Sequence, residues 1–198
     1  MDAVAAIAIA LGAGWASGLN TYAALLVLGG AQMLGIVTLP QDLQVLSSPW
    51  VMAAAGVLFA LNFLADKIPF VDSINDTLHT FVNVPAGALL AYGAVGGLSP
   101  EVAVIAALAG GTLAAGTHIA KTGSRAAINT SPEPFSNIAA SLAIDGLVIG
   151  GLILAITKPI LFLCILAAFV ALLVWLLPKL IRRAASAFRR VFGKRQKS

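Results

Sequence analysis

The sequence predicts an all-α protein, a polytopic transmembrane helix bundle of about 6–7 spans with an internal repeat and a C-terminal amphipathic basic helix. Hydrophobic residues make up 60% of the chain and charged residues only 10%, whereas soluble domains carry about 25% charged residues. Apolar stretches of about 20 residues, the length that crosses a bilayer as a helix, recur along the whole sequence. Lipid is therefore the expected solvent for most of the chain.

The apolar stretches are separated by segments with turn-forming residues. We expect spans at roughly 3–18, 20–37, 49–65, 77–97, 101–121, 135–156 and 159–177. The first 37 residues leave two interpretations open, either two spans or a re-entrant half-helix followed by one span. A single helix of that length would be too long for about 30 Å of hydrocarbon.

Basic residues are concentrated at the C-terminus. Eight of the twelve Lys and Arg residues lie in 179–197, which leaves four in the rest of the chain against all eight acids. This asymmetry divides the chain into a transmembrane domain, 1–178, and a basic cytoplasmic tail, 179–198, because Lys and Arg accumulate on the cytoplasmic side. The prediction is a multi-pass protein of the cell (inner) membrane, with no nucleic-acid partner.

The tail also has the pattern of an interfacial helix. After Pro178, apolar residues such as Leu180, Ile181 and Phe188 recur every three to four positions, with arginines between them. Such a helix would lie along the cytoplasmic leaflet with membrane lipids, and anionic lipid in particular, as its partners. An ordinary positive-inside stop signal is the alternative.

Two segments of the chain resemble each other. Residues 4–20 and 102–118 are identical at seven aligned positions, including Gly12 with Gly110 and Gly18 with Gly116. This match predicts two repeats, 1–98 and 99–178, related by an axis along the membrane normal. The alternative is that alanine-rich composition alone produces the match.

The most informative residue is Asp145, near the middle of the apolar stretch 135–156. A carboxylate at that depth is unfavourable unless it is protonated, paired or hydrated, so it indicates a functional site. Asn137 and Ser141 precede it at intervals of four residues and lie on the same helix face. The alternative is a hydrogen-bonded contact between helices.

A second polar stripe begins before the fourth span. Asp72, Asp76, His79 or Thr80, and Asn83 recur every three to four residues. These residues are predicted to line the wall opposite Asp145, and a solvated helix start is the alternative. Asp72, Asp76 and His79 could ligate a metal, but the chain has two histidines and no strict ligand spacing, so we predict neither a metal site nor a cofactor.

A basic face follows the fifth span. His118, Lys121 and Arg125 lie at i, i+3 and i+7 and share one face if the helix continues past 121. Lys and Arg beside polar donors suit a phosphate or a carboxylate. The alternative is that these basic residues only anchor the end of the helix at the cytoplasmic surface.

Three polar strings resemble those of a known family. They are Ser17-Gly18-Leu19-Asn20-Thr21, Ala65-Asp66-Lys67-Ile68-Pro69 followed by Asp72, and Lys121-Thr122-Gly123-Ser124-Arg125 followed by Asn129-Thr130-Ser131-Pro132-Glu133-Pro134. They resemble a bacterial and plant membrane family known only as a domain of unknown function, family 4126, over nearly the whole chain before the tail. The resemblance implies no established activity. Asn20, in the first string, joins the candidate site residues.

These observations favour a small transporter with a polar cavity open to the cytoplasm. Asp145 would couple transport to a proton or ion, and the basic face would receive an anionic small molecule or a lipid phosphate. The alternatives are a membrane-embedded enzyme acting on lipid head groups through Asp76 and His79, and a non-catalytic scaffold. No motif pairs a nucleophile with a base, which disfavours an enzyme. The sequence leaves the oligomeric state open.

Overall fold

The computed structural model describes the backbone of residues 1–68, 71–128 and 134–192, and their side chains except those of 72, 73, 126, 127, 134, 137 and 176–192. Six α-helices follow one another: α1 Ala3–Met33, α2 Pro49–Ala65, α3 Val71–Ala94, α4 Pro100–Ile128, α5 Pro134–Thr157 and α6 Pro159–Phe192. A 3-10 helix, Gln41–Ser47, precedes α2. The described residues contain no strand, and the all-α prediction is confirmed.

Proline and glycine account for most helix boundaries. Proline is the first residue of α2, α4, α5 and α6, where its missing N–H removes no helical hydrogen bond. Gly35, just beyond α1, has a φ of 69°, a conformation that glycine adopts without steric cost. Two boundaries differ from the sequence prediction: α3 begins at Val71 instead of 77, and α4 continues past 121 to Ile128.

The first helix is interrupted at Asn20. This residue has φ −156° and ψ 98°, which are not helical values. Its side-chain Oδ1 accepts a hydrogen bond from the backbone N–H of Ala23 at 3.1 Å, so Asn20 acts as the N-cap of the second half of α1. The interruption lies at the start of the predicted stretch 20–37, at its predicted boundary with the stretch 3–18.

The first half of α1 runs antiparallel to α5. Gly12 lies against Ala155 near the end of α5, and Asn20 meets Asp145 near the middle of that helix. The break in α1 is therefore at mid-depth relative to α5.

The second half of α1 leads back toward the start of α2. Gly29 packs against the backbone of Leu46, directly before α2. Leu43, in the same 3-10 helix, packs against Gly93 at the end of α3. The break at Asn20 therefore reverses the course of the chain, which favours the re-entrant interpretation of the first 37 residues.

Three helices approach one another closely at three glycines, Gly14, Gly87 and Gly110. A Cβ atom on Gly14 of α1 would lie 2.5 Å from the Cα of Gly110 in α4. A Cβ on Gly87 of α3 would lie 2.7 Å from the Cβ of Ala114 in α4. Only glycine allows backbones to approach this closely. This glycine junction fixes the positions of α1, α3 and α4.

Several polar and charged side chains lie inside the bundle, and many large apolar side chains are exposed. Asp145, Arg125 and Asn83 are buried, whereas Trp50 and Phe81 are exposed. Among the described residues, three helices are long and apolar enough to cross a membrane by length and composition alone, Ala3–Met33, Pro100–Arg125 and Ile138–Thr157, and the bent pair formed by the 3-10 helix and α2 would make four. This distribution suits a lipid environment, while the count of 6–7 spans stays a prediction.

The chain divides into two compact units. The first, Met1–Leu163, contains α1 to α5 and the start of α6, and the second, Cys164–Ser198, contains the rest of α6. The helical backbone of the second unit extends through Pro178 to Phe192. The side chains of the tail lie outside the described residues, so its amphipathic face stays a prediction, as do the internal repeat and the boundary at 178.

Candidate functional site

Most of the candidate residues converge in one buried region of the first unit. We call the following set the polar network; all its members are buried: Asn20, Thr21, Asn62, Asp66, Asp76, Asn83, Thr117, His118, Lys121, Arg125, Ser141 and Asp145. They come from all five helices from α1 to α5. The side chains of Asp72 and Asn137, also predicted for the site, lie outside the described residues.

The charged part of the network is a cluster of two acids and two bases. Lys121 Nζ lies 2.9 Å from Asp76 Oδ1 and 3.7 Å from Asp66 Oδ2. Arg125 Nη2 lies 3.0 Å from Asp66 Oδ2, and its Nη1 donates a 3.0 Å hydrogen bond to the backbone oxygen of Asp66. We refer to these four residues as the ion-pair cluster. It joins the C-terminal end of α2 to α3 and α4.

The charges of the cluster balance, and none of its four side chains is more than 3% exposed. Burial of each ion costs several kcal/mol, which close pairing and hydrogen bonds must offset. Continuation of α4 to Ile128 places Lys121 and Arg125 on one face, as the sequence predicts. Both are already paired with carboxylates in this structure, so an anion that bound them would compete with Asp66 and Asp76.

Asp66 is the functional candidate that the sequence reasoning missed. It lies one residue beyond α2, at a turn next to Lys67, where a carboxylate is ordinarily assigned to a solvated loop. The signal that could have identified it is its place in the polar string Ala65-Asp66-Lys67-Ile68-Pro69, one of the three strings that carry the family resemblance. Lys67 itself is only partly buried; desolvation lowers the pKa of its ammonium group, and the carboxylates of Asp145 and Asp66 oppose that change.

His118 lies at the centre of a hydrogen-bonded chain that joins α4, α3 and α1. Its Nε2 lies 2.8 Å from Thr80 Oγ1, and its Nδ1 lies 3.2 Å from Asn83 Nδ2. The hydroxyl of Thr21, next to the helix break, donates to Asn83 Oδ1 at 2.9 Å. The network therefore extends from α4 to the interruption in α1.

Asp145 contacts the same interruption from α5. Asn20 Nδ2 donates a 2.8 Å hydrogen bond to Asp145 Oδ1. The other carboxylate oxygen, Oδ2, is buried and has no hydrogen-bond partner among the described residues, and the same holds for Ser141 Oγ one turn earlier. The described residues include no salt bridge to Asp145. Asp145 is thus a carboxylate with one amide donor and one oxygen atom available.

Asp76 and His79, the acid–base pair of the alternative enzyme hypothesis, do not share the environment of Asp145. Asp76 is held by Lys121, and Arg125 Nε lies 3.7 Å from its other oxygen. The ring of His79 packs edge-on against Tyr22, with centroids 5.3 Å apart. In the part of the chain that the structure describes, no group of three or more His, Cys, Asp or Glu residues is arranged to hold a metal ion.

Fold and site together define an α-helical protein with an apolar exterior, a helix broken at mid-depth and a buried polar network around the break. A family model described as "Domain of unknown function (DUF4126)" matches residues 7–179, and the chain belongs to this family. The resemblance seen in the three polar strings is confirmed. No curated protein and no solved structure matches the chain. The case for a function must therefore come from the polar network.

Proposed function

We propose that this protein is a multi-pass membrane transporter, with a cytoplasmic C-terminus, in which Asp145 binds a coupling proton. One observation supports the proposal most directly: a buried carboxylate meets the break in α1 and keeps one oxygen without a hydrogen-bond partner among the described residues. Discontinuous helices with polar groups near the midplane are typical of secondary transporters.

The chemistry of Asp145 suits reversible protonation. An ionised carboxylate at the centre of a membrane costs several kcal/mol unless it is paired or hydrated. Asn20 donates a single hydrogen bond to Oδ1, which leaves Oδ2 as the atom that would take up the proton. Loss of that proton would place a charge beside the N-terminus of the second half of α1, where the helix dipole favours a negative group.

The substrate class is an anionic solute or a lipid phosphate that would enter from the cytoplasmic side. Lys121 and Arg125 provide the cations for such a group, and Asp66 and Asp76 occupy them in this structure. Opening of the ion-pair cluster would exchange a protein carboxylate for the substrate's anionic group. The carboxylate and the substrate would therefore compete for the same donors.

Reconstitution into liposomes tests the proposal. Vesicles that contain a pH-sensitive dye would be given an inward gradient of inorganic phosphate, glycerol 3-phosphate or succinate, with empty vesicles as the blank. We expect the protein to move protons together with at least one of these anions. Asp145→Asn should abolish the flux, because it keeps the volume of the side chain and removes its titratable proton. Asp42→Asn, at an exposed carboxylate, is the matched control and should retain the flux.

Two results would contradict the proposal. Full flux in the Asp145→Asn variant would reduce Asp145 to a structural contact between helices. Chemical alteration of a solute or lipid without translocation would instead identify an enzyme.

A further inference from the structure

His118 lies in a hydrogen-bonded chain that has two complete arrangements. In the structure, Asn83 Nδ2 faces His118 Nδ1 at 3.2 Å. An amide nitrogen is always a donor, so Nδ1 must be the acceptor and carries no hydrogen. On the other side of the ring, Thr80 Oγ1 donates to the backbone oxygen of Asp76 at 3.3 Å. Nε2 therefore donates to Thr80 Oγ1, and the ring is neutral with its hydrogen on Nε2.

A second arrangement follows from one rotation. If His118 gains a proton at Nδ1, Asn83 can turn its amide by half a rotation and accept that proton with Oδ1. Asn83 Nδ2 then faces Thr21 Oγ1, which becomes an acceptor. The hydrogen of Thr21 is released to the backbone oxygen of Ser17, which already lies 3.1 Å from Thr21 Oγ1. Every donor again has an acceptor, and no atom has to move farther than a side-chain rotation.

We propose that His118 is a second proton-binding site, and that Asn83 and Thr21 transmit its protonation to the break in α1. The biological purpose of this second site rests on the transport function proposed above. Its geometry is independent of Asp145, because the two sites contact opposite sides of the break: Asp145 binds Asn20, and His118 communicates with Ser17. The ligand is the proton itself.

The surroundings of His118 can accommodate the added charge. The last carbonyls of the first half of α1 lie at a helix C-terminus, which favours a cation. The titratable groups on the helices that contact α4 are Asp72, Asp76, His79 and Tyr92 on α3, Tyr22 on α1 and Asp145 on α5. Lys121 and Arg125 follow His118 on its own helix, and Asp66 and Asp76 balance their charges.

The first experiment determines the protonation state of the ring. The chain has two histidines, so His79→Gln, prepared without a polyhistidine tag, leaves His118 as the only imidazole. Nitrogen-15 solid-state NMR in lipid bilayers at about pH 8 should show one protonated and one unprotonated ring nitrogen, with the hydrogen on Nε2. Acidification toward about pH 5, through the range in which histidine titrates, should protonate Nδ1. A hydrogen on Nδ1 at high pH, or no titration, would overturn the proposal.

The second experiment follows the relay in the chain with both histidines present. Ser17–Gly18 is the only Ser-Gly dipeptide in the sequence, so carbonyl-labelled serine with nitrogen-labelled glycine gives one signal from the Ser17 carbonyl. That signal should shift with pH, because the Thr21 hydroxyl donates fully to this oxygen only when His118 is charged.

Two variants of Thr21 test whether its hydroxyl is the link. Thr21→Ser keeps the hydroxyl and should retain the shift, whereas Thr21→Val should abolish it. A Ser17 signal that ignores pH, or one that moves equally in the valine variant, would overturn the relay. Neither outcome depends on transport, so failure here leaves the result for Asp145 unaffected, and success here does not require that a substrate be known.

Discussion

Arg125 shows how strongly a single buried charge depends on its partners. Its side chain is 1% exposed and contacts both the carboxylate and the backbone oxygen of Asp66. Pairing of this kind adds little net stability relative to an apolar core, but removal of one partner leaves an uncompensated ion in a low-dielectric interior. The ion-pair cluster should therefore behave as a unit.

We predict that Arg125→Met lowers the free energy of unfolding by about 3–5 kcal/mol, because Asp66 and Asp76 would share one remaining cation. Thermal unfolding in detergent, followed by circular dichroism, measures the change. Asp66→Asn added to Arg125→Met should recover part of the loss, since it removes the unpaired carboxylate. Lys158→Met, at an exposed cation, serves as the control and should change stability little. Equal losses at positions 125 and 158 would show that the cluster is not coupled.

At the scale of single residues, the sequence indicates which side chains are unusual but not which of them meet. Asp145 is recognisable because a carboxylate interrupts an apolar stretch. The contact between Arg125 and Asp66 joins residues 59 positions apart, and no periodicity relates them. The sequence places Asn20 at the boundary between two predicted apolar stretches, but its hydrogen bond to Asp145 depends on how α1 packs against α5.

The helices are held together by backbone proximity as much as by side-chain packing. At the glycine junction, a methyl group on Gly110 would overlap the Cβ of Ala91 and lie 2.7 Å from the oxygen of Gly87. Gly116, two turns further along α4, has no atom within 4 Å of the corresponding position. Gly110 and Gly116 are therefore a crowded and an open position for the same substitution within one helix.

We predict opposite effects of the same substitution at these two positions. Gly110→Ala should destabilise the protein by about 1–3 kcal/mol, because the added methyl forces α3 and α4 apart. Gly116→Ala should leave stability unchanged or raise it by about 0.5–1 kcal/mol, because alanine is the better helix former. Unfolding temperatures measured in the same detergent compare the two. A smaller loss for Gly110→Ala than for Gly116→Ala would contradict the packing described for the junction.

At the scale of elements, the sequence predicts the helices well where proline begins them. It places the start of α3 six residues late, because Asp72 and Asp76 lower the hydropathy of its first turns. The same polarity reflects the place of Asp76 in the ion-pair cluster, so the predicted boundary is wrong where a buried charged residue departs from the apolar pattern. The reversal at Asn20 depends on tertiary packing, which composition does not specify.

The orientation of the whole molecule follows from its basic segments. Lys121 and Arg125 lie near the end of α4, and most of the remaining Lys and Arg residues lie in 179–197. The positive-inside rule predicts that both segments face the cytoplasm. The re-entrant course of α1 is compatible with this arrangement, because a segment that enters and returns leaves the sidedness of later helices unchanged.

We predict that single cysteines at Ser124 and Ser198, in a Cys164→Ala background, react with a membrane-impermeant maleimide only when the cytoplasmic face is accessible. Ser124 is exposed, and Cys164 is the only native cysteine, so each label has one origin. The extent of labelling of each cysteine is compared between right-side-out and inverted vesicles. Gly35→Cys serves as the control that reports the opposite face. Reaction of the two serine positions from opposite faces would disprove the proposed topology and the cytoplasmic entrance.

The depth of the break in α1 has an electrical consequence. A charge that crosses a membrane gains or loses about 2.3 kcal/mol for each 100 mV of potential. Asp145 lies near the middle of α5, so a proton that reaches it from either side would traverse about half of the field, or about 1.2 kcal/mol per 100 mV. The ion-pair cluster has no net charge and would respond to the potential only as a dipole. In the proposed transporter, the membrane voltage would therefore act on the occupancy of Asp145 and would leave the entrance formed by the cluster almost unaffected.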